Sequence, residues 1–143
     1  MSPPSPPVPW SGSKLMGIIR RRVRFGSEDG SGWVTAEAII DSGSTHCQVP
    51  PEVAAQLRAR LFRRGRVILA DGSIQERDIV YLQLELDPSL PAALTTAVVG
   101  SEGAPFLVGA VALELLGVGI DPNTQQLVPD LPVLLRTSNW PAL

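Results

Sequence analysis

The 143-residue chain has one cysteine, one histidine and one tyrosine; aromatic residues make up 5% of it, and 12 Lys+Arg against 14 Asp+Glu leave a net charge of −2. Each scarcity excludes something. Cys47 alone cannot close an internal disulfide, and no paired Cys/His spacing offers a zinc site, so neither a metal nor a cofactor is expected and a reducing compartment fits. A charge this close to zero provides no global field toward nucleic acid or an anionic membrane, and neither partner is expected. No apolar run is long enough to span a bilayer, and the start Met1-Ser2-Pro3-Pro4-Ser5-Pro6-Pro7-Val8-Pro9 lacks the basic opening and apolar stretch of a secretory signal. The expectation is a soluble, cytoplasmic protein.

Length and a 44% hydrophobic fraction suit one modest core rather than two. Residues 1–13 are dominated by proline and serine, which cannot supply a regular ladder, and read as a flexible extended tail; its Pro-x-x-Pro spacing also suits a proline-recognising domain. Residues 14–129 read as the folded domain. Residues 130–143 form a second tail whose apolar side chains suit an interface.

Within the domain, Leu15 to Phe25 and Trp33 to Ile40 read as two strands joined by turn chemistry at Gly26-Ser27-Glu28-Asp29-Gly30-Ser31-Gly32. The cluster Arg20-Arg21-Arg22-Val23-Arg24 lies on the first strand. Alternate arginines there point to opposite faces, and Glu28 and Asp29 are expected to offset them, which argues for a solvated strand rather than a nucleic-acid patch. Val49 to Arg58, with proline in its first turn and Val53, Leu57 and Leu61 at helical spacing, predicts a short amphipathic helix. Arg66 to Leu69 and Ile79 to Leu86 read as strands of a long hairpin turning at Ala70-Asp71-Gly72-Ser73. Strands follow at Leu94 to Val99 and Phe106 to Val108. A helix over Ala110 to Leu116 ends at a glycine cap, Gly117, and a last hairpin pairs Val118 to Asp121 with Gln126 to Val128. Many short strands with two short helices describe a closed or nearly closed β-domain.

The chemistry concentrates at Ala38-Ile39-Ile40-Asp41-Ser42-Gly43-Ser44-Thr45. An apolar strand ends there in a carboxylate, with Ser42 to fix the turn and Gly43 to permit a backbone geometry that other residues resist. Downstream stands a second segment, Pro105-Phe106-Leu107-Val108-Gly109, leading into the second helix. Together, from about Trp33 to Val128, these segments resemble the retropepsin-like aspartic proteases, single-domain relatives of retroviral and retrotransposon proteases. The run Leu113 to Pro122, with Gln126-Leu127-Val128-Pro129, looks like the bacterial members in particular.

That resemblance implies an all-β, mainly β fold with two short helices, arranged as the closed β-barrel of the acid-protease fold. It also implies an endopeptidase acting on a peptide or protein substrate as a homodimer. Each chain would lend one Asp41, because two carboxylates about 3 Å apart share a proton, one activating a water and the other polarising the scissile carbonyl. An isologous two-fold contact brings Asp41 against its own mate. By the same resemblance Ser42, Gly43 and Ser44 support the catalytic loop, with Ser42 bracing the partner chain. Leu107, Val108 and Gly109 cross behind that loop, and Ala70, Asp71, Gly72 and Ser73 form the tip of a substrate-covering flap on the Val67 to Ile79 hairpin. The paired edges at Val118 to Val128 are candidates for the dimer contact.

The chain departs from that pattern twice. Ala110-Val111 stand where relatives often carry a polar or charged residue, which removes a hydrogen bond that can help hold the catalytic loop or the dimer, and the hairpin has Gly72 alone among Asp71, Glu76, Arg77 and Asp78. These departures motivate a second reading, a catalytically weak or inactive peptide-binding and dimerisation module. A third is a structural role in which the proline-rich tail recruits a partner. His46 and Cys47 adjoin the loop, but neighbours on an extended segment project oppositely and make a poor nucleophile and base, so both read as packing or surface positions. Asp121-Pro122-Asn123 reads as a turn.

Overall fold

The computed structural model describes residues 18–129. The tails expected at 1–13 and 130–143, and the start of the first strand at Leu15, lie outside the described residues. What is described is mainly β with two short helices, as the sequence predicts. In chain order the strands are β1 (Ile18–Gly26), β2 (Trp33–Asp41), β3 (Cys47–Val49), β4 (Leu61–Ile68), β5 (Ile74–Glu85), β6 (Ala93–Val99), β7 (Phe106–Val108), β8 (Gly119–Asp121) and β9 (Gln126–Val128). The helices are α1 (Pro51–Gln56) and α2 (Ala110–Leu116).

One sheet has the order β1-β2-β7-β3-β6-β5-β4, and an added pairing of β1 with β5 closes six of its strands into a ring. The barrel expected from the sequence is thus a ring of unequal ladders. β3 and β7 are three residues long and share a single register pair, Gln48 opposite Leu107, while β4 hangs outside the ring on β5. β5 is long enough for two partners on one edge: Ile74 to Val80 pair with β4, and Gln83 to Glu85 pair with β1. The β4–β5 hairpin therefore projects past the ring. β8 and β9 form a separate two-stranded sheet.

Period-two alternation decides which side chains fill the ring. Phe25, Ile40, Cys47, Val49, Leu82, Leu84, Ala97 and Val108 are all fully or almost fully buried in one cluster. Each large aliphatic side chain removed from water in this way contributes about 1.5–3 kcal/mol. Phe106 stacks on Phe25 with ring centroids 5.8 Å apart, which plugs the ring beside β7.

Three expectations need correction. The first helix spans only Pro51–Gln56. Val49 belongs to β3, and Leu61 opens β4 at 53% exposure instead of extending the apolar helix face. The strand Cys47–Val49 itself has too few residues for a readable alternation. The hairpin strands are longer than predicted, β4 beginning at Leu61 and β5 at Ile74, because cross-strand pairing carries polar residues that have little strand signal of their own. Finally, Glu28 does not offset the β1 arginines: it pairs with Arg60 through two bonds of 3.1 and 2.8 Å. Asp29 closes a turn with Ser27 and Ser31, and those bonds hold its carboxyl down at about 2. The arginines find acids across the ring seam, Arg24 with Glu85 at 2.9 and 2.8 Å and Arg21 with Asp87.

α2 ends as predicted. Gly117 has φ +67, and the amides of Gly117 and Val118 bond to the carbonyls of Glu114 and Leu113. Among the described residues no helix is long and apolar enough to cross a membrane. Gly117→Ala forces a Cβ into the left-handed region and is expected to cost about 1 kcal/mol. A chemical-denaturation midpoint that falls with an unchanged slope checks it.

Candidate active site

Asp41 is the last residue of β2 and lies opposite Ile18. Its neighbour Ile40 is wholly buried and faces Ile19 and Val108 from either side, so alternation turns the Asp41 side chain away from the core. The half-buried carboxylate is held by its own loop. Oδ1 accepts the Gly43 amide at 2.8 Å, Oδ2 accepts the Ser44 hydroxyl at 3.4 Å, and the Ser44 amide closes the turn on the Asp41 carbonyl at 3.1 Å. Gly43 does not use a left-handed conformation, contrary to expectation. What it provides is room, since a Cβ there would stand 3.1 Å from Asp41 Oδ1.

The downstream segment reaches this loop. β7 runs parallel to β2 with Ile39 opposite Leu107 and Ile40 opposite Val108, which delivers Gly109 directly beneath the loop. A Cβ on Gly109 would lie 2.4 Å from the His46 carbonyl oxygen and 2.7 Å from that of Ser44. Beyond it, the first amides of α2 tie the loop down: Ala110 donates to the Ser44 carbonyl at 2.6 Å and Val111 to that of Thr45 at 3.0 Å. This tie to the loop is made by backbone amides and is independent of the side chains at 110 and 111. Side-chain identity at these positions carries no signal for it.

The hairpin tip is a separate unit. Asp71 Oδ1 accepts the Ser73 amide at 2.9 Å and its hydroxyl at 2.6 Å, bonds that lower the Asp71 pKa, and the Gly72 amide donates to Leu69 at 2.8 Å. Ala70, Asp71, Gly72 and Ser73 are all exposed, and these hydrogen bonds stay within the turn rather than reaching the Asp41 loop. Below the tip, Ile68 and Ile74 face each other across the hairpin at 76% and 53% exposure.

His46 and Cys47 divide as their alternation requires. Cys47 enters the core, and burial pushes its thiol up to about 11 even though a backbone bond to Gly109 works the other way. A thiol so protonated is a poor nucleophile. His46 stays on the other face with Nδ1 3.4 Å from the Thr96 hydroxyl, and burial, reinforced by the Arg63 guanidinium, lowers its pKa. The contact with Thr96 joins distant strands and has no local sequence signal. Asp121 is a turn former, accepting the Asn123 amide at 2.9 Å. Among the described residues no group of three or more His, Cys, Asp or Glu could hold a metal ion.

An open cavity of ≈ 770 Å³, lined in part by Ser27, Glu28, Asp29, Arg58 and Arg60, sits at the β1–β2 turn. That turn is eight strand residues from Asp41, about 27 Å, so the cavity is remote from the carboxylate.

The chain matches no protein-family model and none of the curated proteins. Among solved structures it is similar to the retroviral protease-like domain of Ddi1 from Leishmania major. The two share 16% identity with a TM-score of 0.48, over 76% of this chain and 86% of that one.

Gly109→Ala must displace the Ser44–His46 backbone and is expected to destabilise by about 3 kcal/mol in a denaturant titration. Cys47 is expected to react with a thiol reagent only as fast as the domain opens. Stoichiometric labelling of the native protein within minutes at pH 8 would contradict its placement.

Proposed function

We propose that this protein is an aspartic endopeptidase that works as a two-fold homodimer, with one Asp41 from each chain. The observation that carries the reading is the Asp41 loop: a half-buried carboxylate at a strand end, oriented by the Gly43 amide and Ser44 hydroxyl and fixed from below by Gly109. A lone carboxylate can orient a water but cannot also polarise the carbonyl it attacks. Two of them a water apart divide those tasks, one acting as base and the other, protonated, as acid. The symmetry axis would pass beside the two loops, with Ser42 at their contact. An extended peptide would then lie between the loops and the β4–β5 hairpins, bound by strand-like hydrogen bonds.

A second reading is favoured by the hairpin. Its tip has one glycine and a closed Asp71–Ser73 turn, which suits a cover that opens little. The same cleft would then bind peptides without turning them over.

Asp41→Asn retains an acceptor for the Gly43 amide, so the fold and association state are expected to persist. Hydrolysis should fall by about 10³-fold or more. A variant cleaving at the wild-type rate would sink the proposal, and peptide binding by a wild-type dimer without cleavage would select the second reading. Because a shared proton titrates as a pair, kcat/KM is expected to pass through a maximum on the acidic side of neutrality. A flat pH profile contradicts a carboxylate pair.

A further inference from the structure

β4 is the last strand of its sheet, and among the described residues it is paired on one edge only, to β5. Its other edge presents alternate N–H and C=O groups to solvent. Leu61, Phe62, Arg63, Arg64, Arg66 and Ile68 along it are all exposed. An edge of this kind templates pairing with another chain, and proteins commonly blunt such edges with charge. Here the charge has one sign. Arg58, Arg60, Arg63, Arg64 and Arg66 crowd this stretch and no acid stands between Arg58 and Ala70, although the whole chain carries a net charge of −2.

The acids within reach meet only part of that charge. Glu28 pairs with Arg60 and Asp78 with Arg64, whereas Arg58, Arg63 and Arg66 make no ion pair among the described residues. Blunting by charge also leaves Phe62 unexplained. The register slips between Leu61 and Arg63, which sets Phe62 outside the ladder at 47% exposure. Its ring packs against Tyr81 with centroids 5.2 Å apart; the Arg60 guanidinium lies 4.4 Å from the Tyr81 ring and that of Arg63 5.7 Å from the Phe62 ring. An exposed aromatic held among arginines has the composition of a binding anchor rather than of a solvated edge.

We propose that the free edge of β4, from Arg63 to Ile68 with Phe62 as its anchor, docks an extended acidic segment of another protein as an added strand. The charge selects that occupant. A second copy of this chain, paired antiparallel about Gly65, would set Arg64 against Arg66 in both directions, and like charges directly opposite destabilise. The terminal segments of this chain have the wrong charge, since residues 1–17 contain no acid and residues 130–143 contain Asp130 alone beside Arg136. A nucleic acid would meet the charge and leave the edge amides unpaired. An acidic strand does both: its backbone continues the ladder while its carboxylates meet guanidinium groups that still have donors to give. Even Arg64 gives Asp78 only one of its five N–H donors. Because β4 lies outside the ring, this surface does not rest on the aspartic-protease reading.

The test uses ten-residue dye-labelled peptides titrated into the Asp41→Asn protein, where binding is read without cleavage. The probes are an alternating Glu–Val peptide, its Gln–Val and Lys–Val counterparts, a Glu–Pro peptide and a uridine decanucleotide. The Glu–Val peptide is expected to bind about tenfold tighter than the Gln–Val one, an advantage that shrinks as salt rises. The Glu–Pro peptide has the same charge but cannot join a ladder, and should lose that advantage. Arg63→Glu combined with Arg66→Glu, which breaks no ion pair, should turn the preference toward Lys–Val; a purely structural role for these arginines would weaken all the peptides alike. Backbone amide NMR shifts on binding are expected along β4 and at Tyr81. Equal binding of Glu–Val and Gln–Val, Glu–Pro binding as tightly as Glu–Val, a preference that survives the double variant, shifts centred on Asp41 to Thr45, or tighter binding of the decanucleotide each overturns the proposal.

Discussion

The loop carrying Asp41 has no ladder of its own, and its position depends on one close backbone crossing. At Gly109 the chain leaves β7 and passes under Ser44 and His46 at a separation that admits no side chain. The next two amides, Ala110 and Val111, are first-turn donors that no helix can satisfy internally, and they bond to the Ser44 and Thr45 carbonyls. One device therefore caps the start of α2, satisfies the loop carbonyls and sets the height of the carboxylate. Parallel pairing of β7 with β2 makes the crossing possible, because it brings the ends of both strands to the same edge of the ring.

Closure of the ring rests on burial more than on charge. Where β1 meets β5, Phe25 lies opposite Leu84 and both are wholly buried, while Arg24–Glu85 lies on the other face of the seam and Arg21–Asp87 beyond the end of its ladder. Partly exposed pairs of this kind contribute between nothing and about 1 kcal/mol each. Because β5 spends its upper half on β4, the hairpin is free of the ring and can differ in charge and stiffness without disturbing the core.

What the sequence revealed follows from how local each signal is. The Asp-Ser-Gly turn, the Gly117 stop and the Ala70–Ser73 hairpin turn are written in adjacent residues, and each appears where expected. β3 is too short to show a period, and Val49 could be read as the head of a helix because Pro50 and Pro51 follow it. The bonds from Ala110 and Val111 involve no side chain. The pairing of Glu28 with Arg60 and the contact of His46 with Thr96 join residues far apart in sequence, and only the pairing of β3 with β6 brings the latter two together.

Core and site are one constraint, imposed by the period of the strand. Ile40 packs at zero exposure between Ile19 and Val108, and the next residue is Asp41. A slip of β2 by one position would turn Asp41 inward and Ile40 outward. It would forfeit the burial of an aliphatic side chain and place an unpaired carboxylate among Phe25, Leu82 and Val49, where ionisation costs several kcal/mol. Packing inside the ring thus aims the carboxylate outside it. The outer face can vary in polarity, as Gln48 and His46 do here, so long as the inner face keeps the register.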